Sequence, residues 1–209
     1  VCVPSAVDTE RFRPAVAVAV SAAQRAWFVR EFGLREGELA VGMLAQFIER
    51  KGHRVLIEAL PSVLKQAPNT RILLFGQGPL AEEMRRLCAE RGLSERVLFA
   101  GFRTDMEKIL PSLDLVVHPA LMEGLGVSLL EAAACAVPII ASNAGGMPEI
   151  VREGITGRLI APADSNALGS AMIELLADAE LRRRCGAAGR QLVETEFSLP
   201  AMVAGNYRV

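Results

Sequence analysis

The sequence predicts an α/β fold, a parallel sheet with helices on both faces. Three observations carry this. Short apolar runs alternate with segments of helical apolar spacing about five times along the chain. The apolar runs, such as residues 39–44 (Leu-Ala-Val-Gly-Met-Leu), are continuous rather than alternating, as strands covered on both faces are. Glycine or small polar residues follow several of the runs, which leaves room at the carboxyl ends of the strands, where ligands bind in such sheets.

The elements run in order along the chain. Residues 1–4 fit a short strand, Pro14 with the Ala/Val run to Ala23 marks a linker, and 25–32 read as a helix ended by Gly33. The first regular strand is 39–44. Residues 52–66 place Val55, Leu56, Ala59, Leu60, Val63 and Leu64 at helical spacing. A strand over 71–75 is broken by Gly76-Gln77-Gly78-Pro79, and a helix over 80–91 is ended by Gly92. Strand 96–100, short helix 105–110, strand 113–118 and helix 126–135 come next. Strand 138–142 precedes Gly145-Gly146, and 156–160 reads as one more strand. Helices over 164–177 and 179–195 close the series, the first capped by Asp164. The expected organisation is a segment leading in from a preceding domain over 1–38 and one domain over 39–209.

Composition excludes several classes. The chain has 209 residues, 51% of them hydrophobic, and a formal net charge of −1, which excludes disorder. Its 23 Lys+Arg are matched by 24 Asp+Glu, so there is no bulk basic field for nucleic acid, although a local basic pocket stays open. The longest apolar stretches, 16–23 and 132–141, fall short of the roughly 18 residues that a spanning helix needs. Residues 1–4 lack the pattern of a signal peptide, and without an initiator Met the chain reads as an excised piece. Cys2, Cys88, Cys135 and Cys185 are widely spaced and read as reduced and buried, hence cytoplasmic.

The residues just after each strand bear on function. After the first strand, Arg50 and Lys51 precede a helix, where a cation adds to the positive end of the dipole unless an anion is bound. The alternative is a solvated turn pair. Gly76-Gln77-Gly78-Pro79 is either a tight turn or a close approach to a ligand; it lacks the third glycine of a dinucleotide fingerprint. The sharpest signal is Glu123-Gly124-Leu125-Gly126-Val127, where glycines free the backbone at a helix start and the first-turn N–H groups suit phosphate. Glu123 precedes that turn, and Glu131 stands among Leu and Ala, where burial is expensive without hydrogen bonds. Two carboxylates beside a phosphate cradle make sense as acceptors for hydroxyl groups, which means sugar. A snorkelling or surface carboxylate is the other reading of Glu131. His118 reads as a structural histidine at a strand end rather than a base, and His53 at a helix start fits either role. No HExxH, Cys/His cluster or close Asp set points to a metal, and no GxSxG points to a serine nucleophile.

These residues together resemble one family. The run from Glu123-Gly124-Leu125-Gly126 through Glu131, eight residues later, to Gly145-Gly146-Met147-Pro148-Glu149-Ile150-Val151 and Gly154-Ile155-Thr156-Gly157 looks like the donor-binding half of retaining GT-B glycosyltransferases of the group 1, or family 4, type. Upstream, Lys51-Gly52 and Gly76-Gln77-Gly78-Pro79 fall where that family has its KG and GxGP elements. The resemblance implies the Rossmann-like C-terminal domain of a two-domain hexosyltransferase, with a nucleotide-diphosphate sugar as donor (a UDP- or GDP-sugar) and no obligatory metal. It implies that Glu131 accepts from the ribose hydroxyls and Glu123 holds the transferred sugar. The backbone of Gly124, Leu125, Gly126 and Val127 would contact the distal phosphate or sugar, and Lys51 would neutralise the diphosphate. The base would lie near Phe102 and Arg103, with Gly76 and Gly78 leaving room. The family's arginine after the first strand is absent, its place being taken by Met43; either Arg50 substitutes for it or the loop over residues 46–49 repositions the charge.

The partners so implied are the nucleotide sugar and an N-terminal acceptor domain, with no nucleic acid. Membrane contact, at the inner face, would come only through that other half. The alternative is a non-enzymatic or degenerate nucleotide-binding module, a reading that Met43 alone favours.

Overall fold

The structure is a computed structural model that describes residues 6–14 and 18–206. The strand expected over 1–4, and Cys2 with it, lies outside the described residues. The sheet has six strands: β1 (Leu39–Leu44), β2 (Thr70–Phe75), β3 (Val97–Gly101), β4 (Leu115–His118), β5 (Ile139–Ser142) and β6 (Gly157–Ile160). They lie in the order β3-β2-β1-β4-β5-β6, and every pairing is parallel. The direction of winding reverses between β1 and β4, and a crevice opens at such a switch point, outside the carboxyl ends of the strands.

The helices cover both faces. They are α1 (Val18–Phe32), α2 (His53–Gln66), α3 (Ala81–Glu90), α4 (Met106–Ile109), α5 (Val127–Ala134), α6 (Met147–Ile150), α7 (Ser165–Ala177), α8 (Ala179–Glu196) and α9 (Leu199–Asn206). One core joins Val41, Met43 and Ile72 to Leu56, Leu60 and Met172, so α2 and α7 cover that face. The other joins Ala40, Leu73 and Val116 to Phe28, Leu129 and Val193, so α1, α5 and α8 cover the opposite face. Successive strand residues therefore go to opposite cores. That explains the continuous apolar runs, in which each fully buried Leu, Ile or Val contributes roughly 1.5–3 kcal/mol.

The helix starts obey local chemistry. Asp164 accepts from the Ala167 N–H at 2.8 Å at the start of α7, as its sequence position predicted, and Asp178 does the same for Leu181 at the start of α8. Cys88, Cys135 and Cys185 are free and buried. Helix α1 begins at Val18, so the expected linker is in part helix. Its Phe28 and Phe32, four residues apart, are buried in the first core, and Arg25 bonds the Ser112 and Glu38 carbonyls at 2.5 and 2.8 Å. Tertiary anchoring thus overrides a β-branched stretch with no amphipathic period. Helix α9 was not expected either, since Leu-Pro-Ala-Met-Val-Ala-Gly-Asn has no polar face to mark a helix.

Candidate functional site

Two groups of side chains meet at the carboxyl edge. The first straddles the switch between β1 and β4. After β1, residues Glu49–Lys51 form a single 3-10 turn that ends at Gly52 with φ +76°. A Cβ on Gly52 would run into the Pro119 carbonyl, so only glycine lets this loop lie against the segment after β4. The Leu121 N–H donates to the Arg50 carbonyl at 2.8 Å and locks the two loops together. Lys51 is thereby held against Glu123 in an ion pair, with only 12% and 14% of their side chains exposed. His118, the last residue of β4, brings Nε2 to 3.1 Å from the same Glu123 oxygen, Oε2. The other oxygen accepts from the Gly124 N–H at 3.2 Å. The hydrogen bond from His118 first, then that from Lys51 and the Lys51 charge, outweigh desolvation and bring the Glu123 carboxyl down to about 2. The loop after β5 supports the arrangement, because Gly146 N–H donates to the Gly124 carbonyl at 2.7 Å.

The second group lines a cavity of about 360 Å³ beside the first turn of α5. Ser128 and Glu131, three residues apart and so on one helix face, open onto it. Phe12, Leu44 and Phe75 contribute apolar wall, and Gly76 and Gln77 contribute backbone and amide. Residues 9–12 are fixed over the cavity by Arg190, whose Nη1 donates to the Phe12 carbonyl at 2.7 Å and the Thr9 carbonyl at 3.1 Å. Among the described residues no donor bonds the Glu131 carboxylate. Burial pushes its pKa up, the nearby Arg11 charge opposes that, and Glu107 adds to it. Arg11 itself is paired with Glu107 at 3.1 Å.

The sequence-predicted residues divide between the groups. Gly76, Phe102, Arg103 and Glu131 line the cavity. Phe102 is 66% exposed, a flat apolar surface at the mouth. Arg103 is committed to protein partners: two 2.8 Å bonds to Asp105 and one of 2.6 Å to Glu31 hold its guanidinium and raise its pKa further. Lys51, Glu123 and Gly124 form the first group. Arg50 is its outer member, half exposed, with Nη1 3.9 Å from Glu123 Oε1. Leu125, Gly126 and Val127 lead into α5 between the groups, Gly126 in the left-handed region at φ +82°. Gly78 lies outside the cavity lining and packs on the Phe47 backbone, where a Cβ would collide.

Met43 needs a correction. It is fully buried in the core that α2 and α7 cover, so its side chain points away from the crevice and the position could not aim an arginine there. The side chain that emerges after β1 is Gln46, which lines the cavity. Sequence reasoning missed Gln46, Ser128 and Phe12 as wall residues. His118, read as a structural histidine at a strand end, is buried there and bonds the Glu123 carboxylate. Among the described residues, no group of three or more His, Cys, Asp and Glu is placed to hold a metal ion.

The family model for group 1 glycosyl transferases matches residues 25–192. The chain belongs to that family. It is 33% identical over 203 residues, 90% of this chain and 50% of the relative, to a GDP-mannose-dependent alpha-(1-6)-phosphatidylinositol monomannoside mannosyltransferase of Mycolicibacterium smegmatis. A GDP-mannose-dependent monoacylated alpha-(1-6)-phosphatidylinositol monomannoside mannosyltransferase of Corynebacterium glutamicum is 36% identical over 95% of this chain and 52% of its own length. The chain therefore spans about half the length of the curated relatives it matches. Among solved structures, the C-terminal domain of a group 1 family protein, LpcC, from Francisella tularensis superposes with a TM-score of 0.80 at 27% identity, covering 92% of this chain and 99% of that one. HepE of Anabaena, solved with UDP and glucose, superposes at 0.86 and 22% identity over 97% of this chain and 54% of its own, a likeness of fold. The group 1 chain thus has the Rossmann-like sheet of GT-B glycosyltransferases and corresponds to their C-terminal half.

Proposed function

We propose that this group 1 chain is the donor-binding domain of a retaining glycosyltransferase that takes its sugar from a nucleoside-diphosphate sugar. One observation carries the reading: two glutamates eight residues apart flank the start of α5, one opening onto a cavity, the other paired with a lysine at the switch point. A nucleoside fits the cavity, with the base against the exposed Phe102 ring beside Arg103 and Gly76, and the ribose hydroxyls donating to Glu131. The diphosphate then passes the N–H groups that open α5, at residues 124–127, and reaches Lys51, with Arg50 at the rim. The sugar lies at Glu123. As the glycosidic bond to the diphosphate breaks, negative charge grows on the leaving oxygens. The helix N-terminus faces those oxygens and the lysine turns to them from Glu123, and both lower the barrier.

The two mannosyltransferase relatives depend on GDP-mannose by name, and a structural neighbour holds UDP, so GDP- and UDP-sugars are the first donors to test. The acceptor site belongs to an N-terminal domain, with residues 1–38 leading in from it, and contact with a membrane acceptor at its inner face belongs to that domain too. Met43, the one feature that favoured a degenerate module, is a core residue and no longer supports it. The test is calorimetric titration of the chain with GDP, UDP and ADP, then with GDP-mannose and UDP-glucose. Saturable binding of one nucleotide and its sugar is expected. No binding by any of them overturns the reading.

A further inference from the structure

His118 carries a buried polar group that the fold does not require. Its side chain is 2% exposed, and its Nδ1 is buried with no partner among the described residues. An orphaned nitrogen in a core costs free energy, and an apolar residue would end β4 without that cost. Among the described residues the ring makes one hydrogen bond, to Glu123 Oε2 at 3.1 Å. A carboxylate oxygen only accepts, so Nε2 carries the hydrogen and donates it. That same oxygen is the one Lys51 holds. Glu123 stands on the loop between β4 and α5, whose backbone the Gly146 N–H holds through the Gly124 carbonyl at 2.7 Å. His118, by contrast, is part of the sheet.

Donor binding as proposed above sets Lys51 a conflict. In the free chain its ammonium is committed to Glu123, and a diphosphate draws it away. Among the described residues Glu123 Oε2 then keeps His118 as its one partner. We propose that His118 is a positioning residue that holds the Glu123 carboxylate in place for the sugar hydroxyls when Lys51 turns to the diphosphate. The proposal rests on the donor-domain reading of Glu123 and Lys51. It assigns His118 no contact with the donor.

The test is calorimetry of the wild-type chain, H118M and H118Q with GDP and GDP-mannose, or with UDP and UDP-glucose if that pair is the one that binds. Met fills the space without a strong donor. Gln places an amide N–H near the position of Nε2. H118M is expected to weaken the nucleotide sugar about tenfold, the worth of one hydrogen bond to a charged group. The free nucleotide is expected to change less than about twofold, and H118Q to restore most of the loss. Equal losses for both ligands, or none for either, overturn the proposal, because a merely structural role does not separate them. If H118M does not fold, H118N, whose shorter amide falls short of Glu123, takes its place under the same criteria. A wild type that binds none of the four probes instead refutes the donor-domain reading itself, so the two failures are distinguishable.

Discussion

Glu123 and Glu131 flank the same helix start and have opposite surroundings. Glu123 accepts from His118, Lys51 and Gly124, and its carboxyl is held down at about 2. Glu131 has no donor among the described residues, and burial pushes its pKa up. Side chains of one type therefore differ in what they offer a ligand. Glu131, without a donor among the described residues, is an acceptor that the proposed reading gives to the ribose hydroxyls. Glu123 already accepts from three protein donors, and in the proposed reading a ligand that draws Lys51 away frees room on it for a sugar hydroxyl. Environment, rather than residue type, separates the two roles.

Acid unfolding gives the largest expected effect on this comparison. Glu123 is depressed in the folded chain, from 4.5 to about 2, so its contribution is fully present above pH 4.5 and is lost as pH falls toward 2. The loss amounts to up to about 3 kcal/mol. Glu131 is raised, so the folded state takes up its proton first and its burial penalty fades as pH falls. Urea titrations of Glu123→Gln and Glu131→Gln should show the first variant less sensitive than wild type between pH 4.5 and 2. The second should be no less stable than wild type at pH 7. Matching pH profiles for the two variants would erase the contrast.

A nearby histidine acts in a separate window. His53, buried and stacked on Phe47 at 4.2 Å, is lowered from 6.5 to about 4, chiefly by desolvation, with His118 and Lys51 adding to the effect. The unfolded chain binds the proton first, so stability is full above pH 6.5 and falls as pH drops toward 4, by roughly 3 kcal/mol at most. His53→Leu should flatten that decline in thermal melts recorded from pH 7 to pH 4.

Ligand binding gives smaller effects. Lys51→Ala should weaken a nucleoside diphosphate by up to about a hundredfold, and the nucleoside far less, because the lost contact is charge-assisted. Equal losses measured by calorimetry would remove Lys51 from the diphosphate. Glu131→Ala should weaken the nucleoside diphosphate about tenfold, and unchanged affinity would end its ribose role. Glu123→Ala should spare the free nucleotide and weaken the nucleotide sugar about tenfold, so the two alanine variants should sort by ligand.

The alternation of elements, the parallel sheet and the glycines at its carboxyl edge were legible in the chain, because period and turn chemistry are local. The pairing of Lys51 with Glu123 was not, since 72 residues separate them and they meet only because β1 and β4 are neighbours in the sheet. Met43 misled for a related reason. Its place in a motif suggested a ligand position, but the strand's two-residue alternation sends its side chain into the core.

The amino-acid sequence by itself determined the fold class, the family likeness and the two glutamates at the start of α5, all carried by residues close together in the chain. Tertiary structure alone decided which glutamate is paired and which has no donor among the described residues, that His118 is held to one of them, and that Arg11 and Phe12 form a wall of the cavity beside the other. Those facts depend on packing between distant segments. Burial and hydrogen bonding to distant partners set the free energy of a carboxylate, and neither is written in the residues beside it.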